Sequence, residues 1–159
     1  MWHGGTRLID REVTATPGWE ITPRQSVEIE CGRRGADEVI DGCVAMLRGG
    51  AVDDDFMLAL GGPAGLNVIH DGPAQRHQYW RRVWGARGLL YAYDDRAADA
   101  IVAALGDEHW RVREMAARVI ARHKIGAALP AVAELRADPV PRVRAAGERA
   151  LMALTAAGS

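Results

Sequence analysis

Lysine is nearly missing from this chain: Lys124 is the one lysine among 20 cationic residues, and all the others are arginine. Alongside abundant alanine and 18 glycines, this reads as base composition of the coding sequence rather than selection for bidentate recognition. Cysteine is scarce too. Cys31 and Cys43 fall where helices are expected and read as small hydrophobes, not as a bridge or a zinc site, so a reducing, cytoplasmic setting is expected. No apolar run approaches the roughly 18 residues of a membrane span. The opening MWHGGTRLIDREVTATPG lacks the layout of a secretory signal, and no membrane partner is expected. Catalytic signatures are also wanting. There is no Gly-x-Ser-x-Gly elbow, phosphate loop or dinucleotide fingerprint, and Gly61, Gly62 and Gly65 fit none of these spacings. The run Asp53-Asp54-Asp55 lacks the alternation of a calcium loop and reads as helix capping. His70, His77, His109 and His123 have no short ligand spacing, and His123 shares a column with Ala92 and Leu154, so it reads as an imidazole of the core or of a groove. No catalytic residue, cofactor or metal is assigned.

What the chain does have is self-similarity. Arg82, Arg113 and Arg144 recur every 31 residues, and Arg87, Arg118 and Arg149 repeat on the same interval. The register puts Gly85, Ala116 and Gly147 in one column and Leu89, Ile120 and Leu151 in another. The first of these columns stays small, as a close approach between helices of neighbouring pairs requires. A period near 30 built from helix pairs signals an α-solenoid, in which a unit buries its apolar face only by stacking. On a helical projection the second arginine column lies about 130° from the centre of the apolar arc, on the solvent side.

The reading is all-α, a right-handed α-solenoid of about four antiparallel helix hairpins. Residues 1–22 read as an N-terminal arm or extended cap, and 23–159 as the solenoid domain. Thr22-Pro23 marks a helix start. Helices are expected at about 23–34, 36–48, 54–69 with an interruption at Gly61-Gly62-Pro63, 74–93, 95–106, 108–124, 127–137 and 140–157. Paired in order, they form hairpins over 23–48, 54–93, 95–124 and 127–157.

The turn aspartate followed by Val-Arg, small residues and an aliphatic pair stands here as Asp107…Val112-Arg113…Ala116-Ala117…Val119-Ile120, and again as Asp138…Val143-Arg144…Ala146-Gly147…Ala150-Leu151. This pattern resembles HEAT repeats, in particular the short bacterial variety that is also similar to phycobilin-lyase-type repeats. The resemblance covers 74–157 by motif and 23–73 by layout. It implies that Asp107, Arg113, Asp138 and Arg144 form a structural ladder between adjacent turns. Position 76 is arginine rather than aspartate, so the ladder is expected to fray at Arg82. HEAT-like hydroxylases use His-Glu dipeptides to hold iron, and this chain contains none. HEAT-like DNA glycosylases grip a duplex on a basic concave face, but this chain is short for that task.

Charge is lopsided: residues 1–75 hold 6 arginines against 12 acids, whereas 76–124 hold 10 cations against 6 acids. By the resemblance, the second helices line a concave face. Arg87, Arg118 and Arg149, with Arg111, Arg122 and Arg142, are therefore candidates to pave a groove. Segment 77–93 packs five aromatics and three arginines into one stretch. Trp80 and Trp110 are candidates for an exposed hot spot or, equally, for plugs sealing the gap between hairpins. The expected function is a non-catalytic protein–protein interaction or scaffold module with a protein partner; the alternative is a nucleic-acid-binding module using the arginine-lined face.

Overall fold

The computed structural model describes residues 21–71 and 78–157. Most of the expected arm at 1–22, the start of the helix expected at 74, the arginine at position 76 and His77 lie outside the described residues. Several helices begin or end on a local signal. Helix α1 (Pro23–Arg34) opens on a capping box: Thr22 Oγ1 accepts from the Gln25 N–H at 3.2 Å, and Gln25 Oε1 accepts from the Thr22 N–H at 2.8 Å. It stops at Gly35, whose φ of 90° is open to glycine and strained for other residues. Helix α2 (Ala36–Leu47) carries Asp37 and Glu38 in its first turn, where the helix dipole favours them. Asp53 caps α3 (Asp54–Gly61) by accepting from the Phe56 N–H at 2.8 Å. Gly62 and Pro63 then break the chain into a 3₁₀ turn before α4 (Gly65–Asp71).

The remaining helices form the repeat array. They are α5 (Gln78–Gly88), α6 (Ala98–Ala104), α7 (Trp110–His123), α8 (Leu129–Glu134) and α9 (Pro141–Ala157), with 3₁₀ turns at Asp95–Ala97, Gly126–Ala128 and Leu135–Ala137. Helix α5 ends five residues before the expected position 93. From Leu89 to Tyr91 the backbone N–H groups bond three residues back and tighten the turn. Beyond it, the Leu89 carbonyl accepts a hydrogen bond from His123 Nε2 at 2.8 Å, which ties the ends of α5 and α7 together.

Helices α5, α7 and α9 stack as one layer; α6 lies on α7 and α8 on α9. The helix lying along α5 is α2, not α3 or α4, and α2 also touches α6 as one first helix touches the next. The pairing expected over 54–93 is thereby replaced, and α2 with α5 forms the first regular hairpin. The small-residue column gives the physical reason. A methyl at Gly85 would stand 2.6 Å from the Cys43 carbonyl oxygen and 3.0 Å from the Leu47 nitrogen, while one at Gly147 would meet Leu135 Cβ at 2.7 Å. The close approach is thus made within a hairpin, between its own two helices, rather than between neighbouring pairs. Only a bare helix face admits another backbone so near, and α2 fills that slot. Helices α1 and α3 pack on each other and on α5, closing the end of the stack. Arg96 holds the α2 to α6 junction, donating to Asp37 at 3.1 Å, Asp41 at 3.3 Å and Asp94 at 3.0 Å.

The core runs unbroken from Val27 to Leu154, with Met46, Leu89, Ile101, Ile120 and Val132 among its fully buried side chains. Among the described residues no helix is long and apolar enough to cross a membrane.

Candidate functional site

Two arginine columns do different work. In the first, Arg82 and Arg113 each reach forward to the aspartate of the following turn. Arg82 Nε donates to Asp107 Oδ2 at 2.8 Å and Nη2 to Oδ1 at 3.2 Å; Arg113 repeats this on Asp138 at the same two distances. The arginine six residues after each aspartate binds only its carbonyl: Arg113 Nη1 donates to Asp107 O at 2.8 Å, and Arg144 Nη1 to Asp138 O at 2.7 Å. Each carboxylate also accepts a backbone N–H two residues on, from His109 or Val140. Arg82, expected as the frayed end, holds a complete forward rung. Burial alone would raise the Asp138 carboxyl, but the Arg113 guanidinium and the Val140 N–H hold it below its usual range. This column joins repeats and leaves little for a ligand.

The second column does not face solvent throughout. Arg87 is half-buried and donates to Leu60 O at 2.5 Å, while Ser26 Oγ donates to Ala59 O at 2.5 Å. Both cap the carbonyl end of α3, where a cation and donors are favoured. Burial lowers the pKa of Arg87 from its ordinary value, with Tyr91 and the repulsion of Arg118 as smaller influences. The expectation of a solvent-facing Arg87 is corrected by α3, which covers it. Arg118 and Arg149 are exposed. With Arg122 and Lys124 they border a groove of about 500 Å³ whose apolar wall is Leu90, Tyr91, Ala121 and Ala146. None of these four cations has a carboxylate at ion-pair distance among the described residues, in contrast to Arg34, Arg82, Arg96 and Arg113. The Tyr91 ring lies under the guanidinium groups of Arg24, at 5.6 Å, and Arg122, at 5.8 Å.

The other candidates form a separate row, two helical turns nearer the N-terminal ends of α5, α7 and α9. Arg111 lies between Trp80, at 5.3 Å, and Trp110, at 4.5 Å, and Arg142 covers Trp110 from 5.4 Å while pairing with Glu114 at 3.1 Å. Trp80 is half-buried and also stacks near Trp84, at 6.1 Å. Beside this row, His109 caps α7 by accepting the Arg111 N–H on Nδ1 at 3.2 Å, and its ring stacks on Tyr79 at 3.6 Å. Burial, then the nearby Arg111 and Arg82 charges, lower its pKa and keep Nδ1 free to accept.

Sequence reasoning passed over Lys124 and Tyr91 as groove residues. A signal existed for Lys124, the lone lysine, placed one residue beyond α7 where glycine is the usual occupant.

Stacked helix hairpins joined by an arginine–aspartate ladder, with an open basic groove on the second helices, define a helical-repeat protein. Residues 77–152 match the family model described as HEAT repeats, and this part of the chain is a HEAT-repeat array. HEAT repeats generally mediate protein interactions or scaffolding and are typically non-catalytic. No curated protein and no solved structure matches the chain.

Proposed function

We propose that this protein is a non-catalytic interaction module that holds a partner protein against the face formed by α5, α7 and α9. The observation supporting this reading is the groove cluster of Arg118, Arg122, Lys124 and Arg149, four cations with no carboxylate at ion-pair distance among the described residues. The carbonyl end of α7 favours Arg122 and Lys124, but it gives no reason for Arg118 and Arg149 to gather beside them, whereas an interface uses such charges to steer encounter and fix register. The geometry also favours a protein over nucleic acid. The aromatic faces that would stack on bases already carry guanidinium groups, Arg24 and Arg122 on Tyr91 in the groove and Arg111 on Trp80 and Trp110 in the separate row.

The test uses the tagged chain and an Arg118→Ser, Arg122→Ser, Arg149→Ser triple variant as baits in native lysate, each with and without nuclease. A protein retained by the wild type after nuclease and lost by the triple variant, with circular dichroism unchanged, is the expected result. Loss of every companion on nuclease treatment points instead to the nucleic-acid module. A companion kept by the triple variant and lost on Trp80→Ala moves the site to the aromatic row.

A further inference from the structure

We propose that the groove takes a carboxylate-rich segment of the partner, and that Lys124 occupies a strained backbone position because its ammonium completes the cluster with Arg118, Arg122 and Arg149. This rests on the reading that the groove is a protein-binding surface and narrows it to one chemistry.

The backbone supplies one observation. Lys124 has φ 52° and ψ 56°, and it is the one residue other than glycine with positive φ among the described residues. Its N–H closes α7 on the Ile120 carbonyl, a helix ending that glycine makes without strain and a residue bearing Cβ does not. The other positive-φ positions among the described residues, Gly35, Gly49 and Gly62, are all glycine, so among these residues the rule is broken only at the lip of the groove. Strain kept at one place, by a side chain that makes no ion pair among the described residues, points outward, to something the side chain binds. Composition supplies a second. Where the chain otherwise uses arginine, it has its single lysine here. An ammonium is a compact donor on a flexible stem and suits carboxylates arriving from varied directions.

The walls choose among acidic ligands. The half-buried Tyr91 and Ala121 give the groove an apolar side that a phosphate chain leaves unused and that an aliphatic side chain between carboxylates covers. A groove of about 500 Å³ is of a size to take a few residues of a peptide.

The experiment measures fluorescence anisotropy of three labelled probes on the full chain: a short peptide rich in Asp and Glu around a central leucine, its Asn and Gln counterpart, and a single-stranded oligonucleotide of equal charge. The acidic peptide should bind, the neutral one should not, and the oligonucleotide should bind more weakly than the acidic peptide. Lys124→Gly should melt at the same temperature as the wild type or higher, because the strain is relieved. It should nevertheless bind the acidic peptide about tenfold more weakly, the loss of one charge-assisted hydrogen bond. Lys124→Arg should restore most of the affinity. Equal binding by Lys124→Gly and wild type, equal binding of acidic and neutral peptides, or a tighter oligonucleotide each overturns the inference. If the acidic peptide fails while the captured protein still requires Arg118, Arg122 and Arg149, the interaction reading stands and the acidic-segment inference falls.

Discussion

The Asp138 carboxylate accepts two hydrogen bonds from Arg113 of the preceding repeat, while its own carbonyl accepts one from Arg144. One residue thereby joins three things: the second helix behind it, the turn it sits in and the second helix ahead. Asp138 is only 9% exposed, so a partner left alone there is a charge deprived of both water and counter-charge.

Asp138→Ala should therefore lower unfolding free energy by about 2–4 kcal/mol. Asp107→Ala should behave alike through Arg82, whereas Arg118→Ala should stay within about 0.5 kcal/mol of wild type. Urea denaturation of the three variants decides it; an Arg118 loss as large as the Asp138 loss would put the wrong column in the ladder.

At the α2–α5 crossing, Gly85→Ala pushes a methyl into backbone atoms of Cys43 and Leu47 that have nowhere to retreat. A net loss of about 1–3 kcal/mol is expected despite alanine's better helix propensity. Ala116→Leu, in the same column and fully buried, should be destabilising as well. Gly32→Ala on α1 meets no atom within 4 Å and should instead gain about 0.5–1 kcal/mol. Thermal melts of the three variants separate packing from propensity.

Acid should loosen the α1 to α3 junction in a defined window. Hydrogen bonds from Arg34, at 2.9 and 3.1 Å, and from the Phe56 N–H hold the Asp53 carboxyl down at about 2. Its unfolded value is near 3.9. Since the folded value is the lower one, the stabilisation is complete above about pH 4 and is lost as pH falls toward 2. A carboxyl NMR titration should follow Asp53 directly, and Arg34→Ala should return it toward the ordinary value.

Thiol chemistry should distinguish the two cysteines. Cys43 is fully buried, and burial first, with Cys31 nearby, pushes its thiol up to about 12. In native protein at mildly alkaline pH an alkylating reagent should reach only the half-buried Cys31, with Cys43 appearing on addition of denaturant. Early labelling of Cys43 would mean that α2 leaves α5 readily.

The repeat register was legible because it is written twice, once in packing residues and once in arginines. It correctly aligned Gly85 with Gly147 as sites of close approach. What it could not tell was which helix makes that approach, because α4 occupies the expected place in sequence while α2 occupies it in space. The arginine columns showed the same limit. Periodicity marks Arg87, Arg118 and Arg149 as equivalent, yet α3 covers the first and leaves the other two open. Lys124 was visible as a letter, but its meaning lay in a backbone angle.

The α2–α5 pairing also sets an order of assembly. Helices α6 to α9 join neighbours through short turns, so their contacts close small loops. Helix α2 must wait for α5 across residues 48–77. Contacts between near neighbours in sequence form soonest. The C-terminal repeats can thus serve as a template onto which the N-terminal helices, though synthesised first, are the last to settle.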